Sequence, residues 1–275
     1  MYQKYHVSRQ LLVLTFILSI LNACSGGNSG TQSSTVPDTQ GSAPPPQNTA
    51  IFKQRLNGFN SAPLDYLEYT PVIASEELAP LIIFNHGSGA TNTGNLNDVT
   101  CCGLPPALVS GDYNTELPFV ILAPQRRSAL DVSTLKLFID FAIQNYNVDP
   151  NRVFLIGWSQ GANISARYAV EYPLDVAALV VLAGGFFQGV PANVCDAGEL
   201  PVWGFSGQQD SGFITQATLD TVNAFAQCSD ADSRYTSFRD AGHFEASTWP
   251  FITSEVRNMT GDDPYQLSVF SWMLN

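Results

Sequence analysis

The stretch FLIGWSQGAN, residues 154–163, carries an apolar run into a serine with a glycine two residues to either side. The run reads as a buried strand, and the pattern from Gln160 onward reads as a helix. Ser159 therefore stands at the turn between them. Strand, tight turn and helix make the repeating unit of a doubly wound α/β sheet. In that setting GxSxG is the pattern of a nucleophile held on a strained backbone, with glycines where side chains would crowd the turn. An ordinary strand-to-helix bend is the competing reading, and the rest of the chain decides between them.

Working outward, APLIIFNHG (79–87), LPFVILAPQ (117–125), RVFLIGWS (152–159), VAALVVLAGG (176–185) and LPVWGFSG (200–207) are aliphatic runs with Pro or Gly at their edges. Runs apolar on both faces suit a parallel sheet covered by helices. Helical spacing of Leu135, Phe138, Ala142 and Tyr146 predicts a helix within 128–147, closed by NVDP. Further helices are expected over 160–172, 214–227 and 264–274. The expected fold is α/β, a doubly wound and mostly parallel sheet flanked by helices, without a large lid domain because 185–200 is too short for one.

Ligands in such sheets bind beyond the carboxyl ends of the strands. A serine hydroxyl there needs a base to become a useful nucleophile. The chain has three histidines. His6 falls in the amino-terminal leader, and His86, in NHGSG, is suited to brace the loop that would supply an oxyanion donor. Elimination leaves His243 in DAGHFEAS, after the expected strand SRYTSF (233–238). The acid that orients the imidazole is expected at Asp210, just past the run 200–207 and between Ser159 and His243 in chain order. Asp240 is too close in sequence to reach the far ring nitrogen, and Asp230 and Asp232 stand at the wrong edge of the sheet. The backbone N–H groups of Gln160, at a helix start, and Ser88, after the HG pair, are the expected oxyanion donors.

With these residues in view, the chain resembles the α/β-hydrolase superfamily, and within it exported esterases of the feruloyl-esterase-like, polyhydroxybutyrate-depolymerase-like and predicted-peptidase kind. The resemblance runs through PLIIFNHGSG, PFVILAPQ, NVDPNRVFLIGWSQGANIS, LPVWGFSGQQD and AGHF, over essentially all of residues 80–275. Ala162 stands where many relatives have a second glycine, and GQQD replaces commoner neighbours of the acid. The resemblance implies cleavage of esters or related acyl compounds by Ser159, His243 and Asp210, and little about the substrate. Serine peptidase activity on short peptides, depolymerisation of a polyester, and a retired surface binding protein are the alternatives.

Cys101, Cys102, Cys195 and Cys228 allow three connectivities once Cys24 is set aside. Cys195 and Cys228 both fall at the amino-terminal edge of the sheet, and related esterases place cysteines similarly, so a bond between them is expected. The pairing of Cys101 and Cys102 stays open. Trp158, Phe186, Phe187, Phe244 and Trp249 are candidates for an apolar substrate pocket in an open cleft. No cofactor is expected. No metal site is expected either, since both histidines beyond the leader have other uses.

At 275 residues, 45% hydrophobic and 13% charged, the chain can form one large domain. Its formal net charge of −12 argues against nucleic acid and anionic membrane surfaces as partners. Residues 1–23 have the charged-then-apolar layout of an export signal, with Lys4 and Arg9 before the run 11–21. LNAC resembles the lipobox of bacterial lipoproteins, which would make Cys24 the lipidated first residue, with Ser25 behind it suggesting the outer membrane. Cleavage near Ala23 to a secreted soluble protein is the alternative. Residues 24–50, rich in Gly, Ser, Thr, Gln and Pro, read as a tether, and 51–275 as the catalytic domain. The expected partner is a small ester or a polymer end, and the membrane is met only through the lipid.

Overall fold

The computed structural model describes residues 52–275 except 57, 72–76, 92, 111–117, 128–131 and 252–267. The expected signal (1–23), the tether (24–50) and Cys24 lie outside the described residues. So do Leu117 and the first residues of the helices expected within 128–147 and 264–274.

The run that includes FLIGW becomes β5 (Val148–Trp158), an inner strand of an eight-stranded sheet. In chain order its companions are β1 (Phe52–Arg55), β2 (Tyr66–Tyr69), β3 (Ala79–Asn85), β4 (Val120–Pro124), β6 (Ala178–Leu182), β7 (Val202–Gly207) and β8 (Ser233–Phe238). Across the sheet the order is β1-β2-β4-β3-β5-β6-β7-β8, parallel from β4 to β8 and antiparallel where β1 meets β2 and β2 meets β4. Register places Gly157 opposite Asn85 of β3, and Trp158 opposite Leu182 of β6. The turn after β5 thus opens between the ends of its two neighbours.

Side chains alternate across a strand, so each inner strand feeds two cores. Leu81, Ile83, Val153, Leu155, Leu179 and Val181 pack with buried residues of α2 (Val132–Asn145), α3 (Gln160–Glu171) and α4 (Gly212–Ala226). Ile82, Phe84, Phe154, Ile156, Val180 and Leu182 pack with α1 (Leu104–Ser110) and α6 (Val269–Leu274). Each such aliphatic side chain contributes roughly 1.5–3 kcal/mol on burial. That two-sided burial is why these strands read as unbroken apolar runs. A four-residue helix, α5 (Glu245–Thr248), follows β8.

A mostly parallel sheet is as expected, but β1 and β2 are not among the expected runs, and their chemistry explains why. Glu68 of β2 is buried, and Arg55 of β1 donates to both of its carboxylate oxygens at 2.7 and 2.8 Å. Tyr146 donates to the same carboxylate at 2.5 Å. Burial raises the Glu68 carboxyl pKa, but Arg55 and Tyr146 outweigh it and hold the group below its ordinary range. A charged residue inside a four-residue strand hides the strand from a hydrophobic pattern. The helix expected within 128–147 ends at Asn145, before NVDP, and the strand begins earlier than the run 152–159, with Val148 opening β5. The pairing of β3 with β5 shifts register between Ala79 and Leu81, where Pro80 of β3 and Pro150 of β5, both without an N–H, fall.

Candidate active site

Ser159 has φ 54° and ψ −117°, a positive-φ conformation outside the regions that L-residues favour. Such a conformation costs of order 1–3 kcal/mol and persists only where its surroundings over-determine it. Here they do. The Ser159 N–H donates to the Leu182 carbonyl at 2.9 Å, and its own carbonyl accepts from Ala162 and Asn163 at 3.0 and 3.2 Å as α3 begins. A Cβ on Gly157 would collide with the Gly161 carbonyl, and one on Gly161 with the Asn85 carbonyl. Both glycines are therefore imposed by backbone packing around the serine. A Cβ on Gly184, beyond β6, would sit 2.5 Å from the Ser159 carbonyl oxygen, so this loop closes the turn from the other side.

Asp210 and His243 come from different loops and meet directly. His243 Nδ1 lies 2.6 Å from Asp210 Oδ2, with the two side chains 12% and 7% exposed. A carboxylate only accepts, so Nδ1 is the donor in this bond, and Nε2 is the nitrogen that carries the lone pair whenever the ring is neutral. That Nε2 is buried and has no hydrogen-bond partner among the described residues, Ser159 Oγ included. The other oxygen of Asp210 accepts the Ser211 N–H at 2.6 Å. Main-chain bonds lace the two loops together, from Gln208 N–H to the Phe238 carbonyl at 2.9 Å and from Gln209 N–H to the Ala241 carbonyl at 3.0 Å. The close approach continues at Gly207, where a Cβ would strike the Ala241 carbonyl. Gly242 N–H donates to Glu245 Oε2 at 3.0 Å, which fixes the start of the histidine loop.

Ser88 opens a 3-10 turn, Ser88–Ala90, at the end of β3, and Gln160 is the first residue of α3. The loop bearing Ser88 is braced from behind by two residues that the sequence reading did not single out. Arg126 donates its backbone N–H to His86 Nε2 at 3.0 Å and its guanidinium to the His86 carbonyl. His86 Nδ1 in turn donates to the Gly87 carbonyl at 2.6 Å. Burial, reinforced by the neighbouring Arg126 charge, pushes the His86 pKa well below its ordinary value, so the ring is neutral and both nitrogens are spent on the loop. Gln125 Nε2 donates to Thr93 Oγ1 at 2.7 Å and to the Asn95 carbonyl at 3.0 Å, holding the segment beyond the turn. No sequence pattern marks these two residues, since their partners lie 30 to 40 positions away.

Among the aromatic candidates, Phe186 is buried and stacked on Phe225, with ring centroids 5.8 Å apart. Phe187 stacks on the half-exposed Phe213 at 5.6 Å, at the start of α4. Phe244 packs on Trp158 at 5.5 Å and sits 5.9 Å from the His243 ring, while Trp249 lies edge-on to Phe238. Cys195 and Cys228 form a disulfide, with Cα atoms 5.0 Å apart. Cys101 is exposed and Cys102 buried. Among the described residues no cluster of three or more His, Cys, Asp or Glu side chains is assembled to hold a metal ion.

No family model matches the chain. NocK of Nocardia uniformis subsp. tsuyamanensis, provisionally named an esterase, is 30% identical over 125 residues that cover 38% of this chain. The match spans 36% of that curated relative's length. Among solved structures, the feruloyl esterase module from Clostridium thermocellum, a serine-to-alanine variant complexed with sinapinate, superposes with a TM-score of 0.52 at 14% identity, over 82% of this chain and 96% of that one. A thermostable esterase gives 0.52 at 19% identity, over 82% and 60%. A carboxylesterase from Lactobacillus plantarum gives 0.51 at 17% identity, over 71% and 86%. These likenesses bear on architecture, and the architecture is the α/β-hydrolase fold.

Proposed function

We propose that the chain is a serine hydrolase that cleaves carboxylic esters through an acyl-enzyme. The observation that carries this reading is the His243–Asp210 pair, which fixes the imidazole tautomer and leaves Nε2 as a base, on the same edge of the sheet as the strained Ser159. In the proposed reaction Ser159 Oγ attacks the ester carbonyl carbon while His243 Nε2 takes the hydroxyl proton. Asp210 stabilises the resulting imidazolium through Nδ1–H. The N–H groups of Ser88 and Gln160 receive the oxyanion, each worth about 3–4 kcal/mol of the barrier. Nε2 then gives its proton to the departing alkoxide. Water, deprotonated by the same nitrogen, releases the acid and restores Ser159. Serine–imidazole hydrogen bonds are commonly long without substrate and tighten in the complex.

Resemblance to NocK and to the esterase structures supports the same reading. The test is a panel of p-nitrophenyl acyl esters with wild type and Ser159→Ala, beside peptide anilides and a fluorophosphonate label. Ester turnover and labelling that both vanish in Ser159→Ala support the proposal. Turnover confined to the anilides would assign a peptidase, and a wild type that neither labels nor turns over any substrate would make the fold a binding scaffold.

A further inference from the structure

Trp158 precedes Ser159 directly and is only 3% exposed. Its indole N–H donates to the His243 backbone carbonyl at 3.2 Å. The same ring lies 5.2 Å from the His243 ring and 5.5 Å from that of Phe244. A Cβ built on Gly87 would come within 2.6 Å of two atoms of the benzo half of the indole, so the Gly87 backbone lies against the ring. Gly87 immediately precedes Ser88. One side chain therefore touches the base loop and the oxyanion loop while its own backbone leads into the nucleophile.

We propose that Trp158 is a positioning residue that holds the Ser159 turn, the His243 loop and the Gly87–Ser88 loop in mutual register. This rests on the acyl-transfer reading of Ser159. A pocket wall needs open surface, and this ring has almost none. Its sole donor is spent on the His243 carbonyl and its benzo edge is covered by Gly87. The end of β5 gives the ring a fixed mounting, since Trp158 pairs with Leu182 as the last residue of the strand. Only tryptophan combines a face wide enough to span two loops with a single N–H donor at its edge. Phenylalanine keeps much of the contact with Gly87 and loses the bond to the base loop, whereas leucine loses both.

The experiment compares wild type, Trp158→Phe and Trp158→Leu for kcat and KM on p-nitrophenyl acetate and butyrate. It also measures the rate constant of fluorophosphonate labelling, all at a temperature where melting curves show each variant folded. Loss of the indole bond is expected to lower kcat about tenfold in Trp158→Phe. Loss of both contacts is expected to lower it about 100-fold in Trp158→Leu, because small misplacements of reacting groups cost that much. Labelling should slow in parallel, with KM changed by less than about threefold. A substrate-wall role would instead raise KM or change the acetate-to-butyrate preference at unchanged kcat, and a purely structural role would lower the melting temperature alone. Either outcome overturns the proposal. Should Trp158→Leu fail to fold, Trp158→Phe decides, and a kcat within twofold of wild type rejects the role. Ester turnover surviving in Ser159→Ala would mean that the catalytic reading has failed. Serine-dependent turnover with unaffected Trp158 variants would mean that only this inference has.

Discussion

His243 and Asp210 stand 33 residues apart in the chain and 2.6 Å apart in space, with Nδ1 of one facing Oδ2 of the other. Asp210→Asn should preserve that contact while reversing its sense, since an amide can donate where a carboxylate only accepts. The imidazole would then carry its proton on the wrong nitrogen. We expect kcat on p-nitrophenyl acetate to fall by about 10³–10⁴ with KM little changed. A fall of less than threefold would remove Asp210 from the mechanism.

Gly161→Ala should damage the fold as well as the chemistry, because the new methyl meets the backbone carbonyl of Asn85 and has no rotamer to escape into. Overpacking between two main chains lies at the top of the usual range, about 3 kcal/mol or more. Urea denaturation gives the value, and a loss below about 1 kcal/mol would show that α3 can slide away from β3.

The His86 ring is held neutral in the folded chain, below its ordinary value of 6.5. As pH falls, the unfolded chain therefore takes up the proton first. Stability from this group is complete above pH 6.5 and is lost below it, with a limiting slope of about 1.4 kcal/mol per pH unit. Denaturation at pH 7.5 and 5.5 should differ by about 1 kcal/mol, and His86→Gln should flatten that part of the dependence. An unchanged slope in the variant would place the titration elsewhere.

The Cys195–Cys228 disulfide closes a separation of 33 residues. Chain-entropy reasoning puts its contribution at about 3–4 kcal/mol. The double variant Cys195→Ser, Cys228→Ser should lose that much in urea while keeping kcat at a temperature where it remains folded. A matching loss of kcat would show that the bond also shapes the catalytic edge.

If residues 1–23 are an export signal and Cys24 is lipidated, the full chain expressed in a Gram-negative host should incorporate labelled palmitate and partition into detergent. Cys24→Ala should do neither. Recovery of unlabelled wild-type protein in the soluble periplasmic or culture fraction would favour the secreted alternative.

What the sequence made legible follows the physics of burial. β3, β5, β6 and β7 are covered on both faces, so each appears as a long aliphatic run, and the glycines around Ser159 record a backbone crowding that the structure displays. β1 and β2 were not legible, because four residues carry little periodicity and the Glu68 carboxylate is satisfied by Arg55 of β1 and by Tyr146, partners that only folding brings to it. Gln125 and Arg126 left no pattern either, since bracing His86 and the turn beyond it is a property of folded neighbours. Trp158 was legible as an aromatic beside the serine but not by its contacts, which depend on two loops 71 and 85 residues away.

The main-chain lacing between the turn after β7 and the turn after β8 has a consequence for anyone building chimaeras on this scaffold. With Gln208 and Gln209 bonded to Phe238 and Ala241, and Gly207 pressed on the Ala241 carbonyl, neither turn is a free cassette. A foreign histidine loop transplanted by itself would arrive without its matching carboxylate, so the two turns must be exchanged as a set.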